Sequence, residues 1–313
     1  MDWATIVTAV SSSLGLSAVT AAWLSRALIS HRLEKDLEAF KSELERDRAI
    51  DLAEVEGRIR KQVEAGLGDL AAQRQYEFDA RKRLYTAIGP LRFQLLLACR
   101  DLAGRVQGHA DGRAYALGLD GYYGRSTLFR LLRPLCLAEL VERQIAYADF
   151  AVDSGAVDLL RFKKSAFAAF SGGSLVEGHP DVNWGNQVQH VFFDYVGRCA
   201  NMMIVEEAPG HERAIRFHEF EKLLRSKDGA AAFSPFPVIL DGMTPKAKPL
   251  FWLRLVAYGH LCNGFINKTG QPIGFETRDY PVAALLAITE DPTICSNVAE
   301  YVRRCDLILE SAL

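Results

Sequence analysis

The stretch LEKDLEAFKSELERDRAIDLAEVEGRIRKQVEAGLGDL, residues 33–70, decides the fold class. It contains no proline. Leu33, Leu37, Phe40, Leu44, Arg48, Leu52, Val55, Ile59, Val63, Leu67 and Leu70 recur at spacings of 4, 3, 4, 4, 4, 3, 4, 4, 4 and 3. A face that returns every three or four residues is helical. The mean of about 3.7 is closer to an eleven-residue repeat than to a heptad, which predicts a nearly straight or slightly right-handed bundle. The remaining positions are mostly charged, and a narrow apolar stripe on a charged helix needs a partner to cover it. The stretch therefore predicts a parallel homo-oligomeric coiled-coil stalk over 31–68. The alternatives are an isolated charged helix or one folded back on its own C-terminal domain. Glu54–Arg58 and Glu56–Arg60 stand four apart in the favourable order. Gly66 and Gly68 each weaken a helix by roughly 1 kcal/mol relative to alanine and mark the expected hinge.

Upstream, Trp3 to Trp23 reads WATIVTAVSSSLGLSAVTAAW without a charge. Twenty helical steps of about 1.5 Å match the hydrocarbon thickness of a bilayer. The flanking indoles Trp3 and Trp23 suit its interfaces. A cleaved signal would want a basic start, but Asp2 stands there. The segment predicts a single transmembrane anchor over 1–30. Arg26, Arg32 and Lys35 follow it, so the basic-inside rule places the N-terminus outside. Ser11 and Gly15, like Ala18 and Ala22, are small residues four apart, a spacing that lets helices approach closely in lipid. Expected partners are thus the lipid bilayer and further copies of the chain, through anchor and stalk.

Downstream, residues 69–313 predict one helical domain, and the whole chain an all-α fold. Helical patterns run from near Asp69 through YEFDARKRLYTAIGPLRFQLLLACRDLAGRV, with Pro90 as a possible kink, and over 122–152, with Pro134 as another. Further helices are expected near 155–170, 184–205, 211–226, 249–267 and 292–311. Glycine- and proline-rich connections lie at 171–185 and 233–249. Arg125, Arg130 and Arg133 share an apolar stretch. Either they pair with acids such as Glu139 and Asp149, or their guanidinium forks form an anionic-ligand site.

Composition excludes several function classes. The net charge of −2 gives no global field for nucleic acid, and no nucleic-acid partner is expected. The six cysteines form no C-x-x-C pair and read as buried, reduced thiols. The seven histidines show no metal-ligand spacing, so neither metal nor cofactor is expected. His190 and Asp194, four apart, read as a local hydrogen bond. Glycine-rich phosphate loops, GxSxG and HExxH are missing from the sequence.

Two resemblances bear on function. Arg213 and His218, in HERAIRFHEFEKLL, resemble the R-x4-6-H signature of HEPN domains, helical folds that often dimerise into RNA-cleaving sites. That resemblance implies acid–base work for His218 and phosphorane stabilisation for Arg213. Ala214 departs from the polar residue that commonly follows the arginine. Separately, RLEKDLEAFKSELERD and EFDARKRLYTAIGPL, with the anchor, resemble a group of bacterial proteins that carry a short N-terminal anchor, a charged coiled coil and a helical domain. Some of those accompany defence systems. The layout implies a single-pass protein of the bacterial inner membrane with its C-terminal bulk in the cytoplasm. The expected function is a membrane-anchored oligomeric scaffold, sensor or effector, with no enzymatic role favoured and a protein partner possible. The alternatives are a HEPN-type membrane-bound ribonuclease and an oligomeric membrane-disrupting effector.

Overall fold

The computed structural model describes the backbone of residues 3–110, 115–145, 154–226, 228–277 and 279–312, and side chains over the same residues except 3–19 and 154. The chain divides into two units, Met1–Gln75 and Tyr76–Leu313. It is 76% helical, in keeping with the all-α expectation.

Helix α1 spans Trp3–Ala110 and supplies all the described secondary structure of the first unit. It runs through Gly66 and Gly68 without interruption, so the expected hinge does not form there. Lys61, Glu64, Ala65, Leu67 and Leu70 around them are good helix formers and offset the two glycines. Every described residue from Thr20 to Gln75 is exposed. The apolar seam is included: Phe40 is 64% exposed and Leu44 42%. Glu54 pairs with Arg58 at 3.5 Å, as the spacing predicts, whereas Arg60 turns forward to Glu64 at 3.2 Å.

The expectation of a membrane anchor is corrected. Among the described residues, no helix is long and apolar enough to cross a membrane. The transmembrane element, the single-pass topology and the inner-membrane localisation therefore do not stand. Serine, threonine, glycine and alanine make up much of the uncharged stretch from Trp3 to Trp23, and they contribute little transfer free energy per residue. Of the residues assigned to the anchor, Trp3, Ser11, Gly15 and Ala18 lie outside the described side chains, and Ala22 and Trp23 are exposed.

In the second unit, α1 continues through Pro90 and becomes half-buried, with Leu84, Ile88, Leu95, Leu96, Cys99, Leu102 and Val106 inward. The three-and-four spacing of these residues explains why one face is sealed. α2 (Tyr122–Ile145) follows, then α3 (Ser154–Ser171) and α4 (Phe193–Met202). β1 (Ile204–Ala208) and β2 (His211–Ala214) make an antiparallel hairpin, pairing Ile204 with Ala214 and Val205 with Arg213. The short helices α5 (Phe217–Leu224), α6 (Gly229–Ala232) and α7 (Phe236–Leu240) lead to α8 (Pro249–Gly270). α9 (Val282–Ala287), α10 (Pro292–Ser296) and α11 (Val298–Glu310) complete the unit.

α8 is the central element. It is buried nearly all round and packs on α3, α9 and α11, while α2 packs on α3, α4 and α5. Two of its large buried side chains reach backbone carbonyls of neighbouring elements, as burial requires. Trp252 donates its indole N–H to Leu285 O at 2.6 Å, and Tyr258 its hydroxyl to Leu131 O at 3.4 Å.

Candidate functional site

Arg213 and His218, expected on one helix, lie on different elements: Arg213 on β2 and His218 near the start of α5. Pro209–Gly210, with Gly210 at φ 77°, turns the chain and makes a hairpin where a helix is expected. The Arg213 guanidinium is engaged. It donates to Glu219 through both Nη atoms, at 2.9 and 2.8 Å, and through Nε to Glu207 at 2.5 Å. Glu219 also accepts from the Arg216 backbone N–H, closing a cap on α5. Arg213 first, and then that N–H, hold Glu219 at about 2. His218 is exposed. The arrangement fastens the hairpin to α5, and Arg213 carries no unused fork towards His218.

Arg125, Arg130 and Arg133, all on α2, have three different surroundings. Arg125 is fully tied: Nε donates to Glu221 at 2.9 Å, and Nη1 to Leu119 O at 3.1 Å and Asp120 O at 2.6 Å. Arg133 lies over the Phe129 ring at 5.6 Å with its Nε buried and without a partner. Arg130 is half-buried and has no hydrogen bond or ion pair to any described residue. Burial lowers its pKa, and Arg105 lowers it further. The acids considered as partners go elsewhere or lie out of view. Glu139 bonds Lys163 at 2.6 Å and approaches Arg143 at 3.8 Å, and Asp149 lies outside the described residues.

Arg105 joins Arg130 from α1. Its guanidinium sits 4.2 Å from the Tyr123 ring centroid, and donates to Ser126 Oγ at 3.1 Å and Thr127 Oγ1 at 3.5 Å. Ser126 and Thr127 precede Arg130 by one helical turn, so both guanidinium groups share that face of α2. Asp101 acts on the Arg130 charge but is itself bonded to Arg100 at 3.0 Å. One turn after Arg105, His109 is 8% exposed, and its ring stacks along Tyr123 at 6.4 Å and meets Trp252 at 5.8 Å. Neither of its nitrogens makes a hydrogen bond of ordinary geometry, although the Met243 backbone is close enough to favour its charge. Burial nevertheless wins and lowers its pKa, so the ring is neutral at pH 7. Gly124 sets the register of this face. A Cβ there would fall 2.0 Å from Gly118 O and 2.4 Å from Leu117 O, so the loop before α2 closes onto its first turn only because that side chain is missing.

Elsewhere in the unit, His190 Nε2, His260 Nδ1 and Tyr280 Oη are also buried without a hydrogen-bond partner, whereas the cluster around His179 is satisfied internally. His179, Asp181 and Asp291 bring three ligand atoms within 4.8 Å of one another. However, His179 Nδ1 accepts from the Asp181 N–H at 3.2 Å, so its Nε2 carries the proton and donates to Asp291 Oδ1 at 3.1 Å. That carboxylate also accepts the Thr293 and Ile294 N–H groups, each at 2.9 Å. The cluster is a hydrogen-bonded tie with no lone pair of the ring left for a cation. A cleft of about 210 Å³ lies beside it, lined among others by Asp181, Gln189 and Lys248. The Lys248 ammonium there is occupied by Val238 O, Ile239 O and Asp241 O at 2.6–3.1 Å.

Compared with known proteins, the chain matches no family model, no curated protein and no solved structure.

The site therefore has to be read from its own chemistry. Of the sequence-predicted residues, only Arg130 contributes a cation with no carboxylate bonded to it to the α1–α2 face. Arg105 and His109 are the residues that sequence reasoning missed. They stand four apart on a helix expected to end near Gly108, and α1 in fact continues to Ala110. An R-x3-H spacing on the polar edge of an otherwise buried face was the available signal.

Proposed function

We propose that this protein is a non-catalytic assembly protein. Its stalk helix associates with further copies of the same chain, and the helical unit Tyr76–Leu313 serves as the ligand- or protein-binding module of a scaffold, sensor or effector. The supporting observation is the seam of α1. Its apolar residues are exposed over many turns, at a spacing that one straight neighbouring helix of the same repeat matches along its whole length. Burying one leucine or valine of such a seam contributes roughly 1.5–3 kcal/mol, and the seam repeats this many times. Another copy of the chain carries the same repeat and length, and so covers the stripe in register. Arg48, the one charge among the seam positions, favours the alignment in which it meets solvent or a facing acid, and so helps set that register.

Sedimentation equilibrium of the full chain tests the reading. A mass at an integral multiple of 34.7 kDa is expected, reduced to the single-chain value by Leu44→Asp together with Val55→Asp. A strictly monomeric protein at tens of micromolar, with both seam residues intact, would overturn it.

A further inference from the structure

We propose that Arg105, Arg130 and His109, with the hydroxyls of Ser126 and Thr127, form a receptor for the phosphate group of a small phosphate-bearing ligand. Three independent features of the α1–α2 face lead there. The first is charge. Two guanidinium groups share one face, and no carboxylate among the described residues is bonded to either, since the nearby Asp101 is taken by Arg100. Asp101 acts on Arg130 only at a distance, and a pair of like charges so weakly balanced is suited to receive a further anion from outside. Two uncompensated forks match a dianion with several oxygens better than a carboxylate.

The second feature is donor supply. Ser126 and Thr127 each accept from Arg105, which leaves each hydroxyl with its own proton to give. The third is His109, more than nine-tenths buried, which has the Met243 backbone nearby but makes no hydrogen bond of ordinary geometry through either ring nitrogen. An unmatched buried polar group is costly and points to a missing partner. As a neutral ring it carries one N–H that a phosphate oxygen would accept. Tyr123, between Arg105 and His109, and Tyr115, 4.3 Å from Tyr123 ring to ring, add an aromatic wall beside the anion. The site stands apart from stalk assembly, so either proposal can fail without the other.

The test is isothermal titration calorimetry on the full chain with inorganic phosphate, pyrophosphate and ATP, at constant ionic strength so that general screening does not change. Saturable binding of at least one of these is expected, weakened roughly tenfold or more by Arg130→Gln or by Arg105→Gln, in line with the loss of a charge-assisted hydrogen bond. Arg303→Gln, which removes only an exposed pair with Glu300, should leave affinity within about twofold. Thermal melting gives a second readout that survives any change in stability. Without ligand, Arg130→Gln should melt no lower than the parent protein, because it relieves repulsion from Arg105. With saturating phosphate, the upward shift seen in the parent should vanish in the variant. No saturable binding of any probe, or binding unaffected by both arginine substitutions, overturns the assignment.

Discussion

Arg254 is a guanidinium sealed inside α8 at 1% exposure, with no carboxylate paired to it among the described residues. Three backbone carbonyls hold it: Ala169 at 3.0 Å, Gly172 at 2.9 Å and Gln189 at 2.9 Å. Two of these end α3, where the helix dipole and the unmatched carbonyls favour a cation. Burial lowers its pKa to about 10, which still leaves it charged at neutral pH. Arg254→Met preserves the apolar stem but leaves three acceptors unmatched. A loss of about 3 kcal/mol or more is expected, read as a lower urea midpoint at unchanged slope. The thiols give a second residue-scale expectation. Burial pushes Cys136, Cys199 and Cys305 up to about 12, and burial followed by contact with Cys262 raises Cys99. Only Cys295 among the six is exposed. Ellman's reagent should therefore titrate one thiol quickly in the folded protein, and none in Cys295→Ser, because reaction needs an accessible thiolate.

At the scale of elements, the tie between the 171–192 connection and α10 should respond to acid. Burial resists ionisation of Asp291, but the Ile294 N–H, His179 and the Thr293 N–H outweigh it and hold the carboxyl below its usual range. A carboxylate whose pKa is depressed on folding adds stability that is complete above its unfolded value, near 3.9, and is lost as pH falls through the folded value. The urea midpoint should thus drop more between pH 6 and pH 3 in the parent protein than in Asp291→Asn. An equal drop in both would show that the carboxylate is uninvolved. In α1, Gly66 and Gly68 have open space where a Cβ would stand. Changing both to alanine should raise helicity and melting temperature, by roughly 1 kcal/mol per site. The helices themselves were legible where one face repeats with the helical period, as in α1 and α3, and α8, buried nearly all round, was legible from the length of its apolar run. The hairpin was not, because VEEAPGHERA has too few apolar residues to separate a period of two from one of 3.6, and only Pro209–Gly210 marked the turn. Arg254 reads as one more basic residue in an apolar run, since its carbonyl partners lie 65–85 positions away. Arg130 was read in the sequence only as one of a group with Arg125 and Arg133, and what sets it apart from Arg125 is a tertiary fact: Glu221, 96 residues from Arg125, reaches only one of the two.

For the molecule as a whole, apolar surface is distributed unevenly. The second unit gathers most of its apolar residues in one continuous core, while the stalk leaves its own exposed. A self-association equilibrium stabilises only the part that it buries. Circular dichroism melts should therefore contain a helical transition that moves upward with protein concentration and a second that does not move. A single concentration-independent transition would argue against the stalk as an association element. The net charge of −2 conceals this kind of unevenness too, because a near-neutral total is compatible with a small face where two guanidinium groups stand uncompensated. That face is inherited together with one missing side chain. The loop at Leu117–Gly118 rests against α2 at Gly124, so lineages that keep the cation pair cannot drift at position 124. A glycine there in distant descendants would be the mark by which the pair is traced.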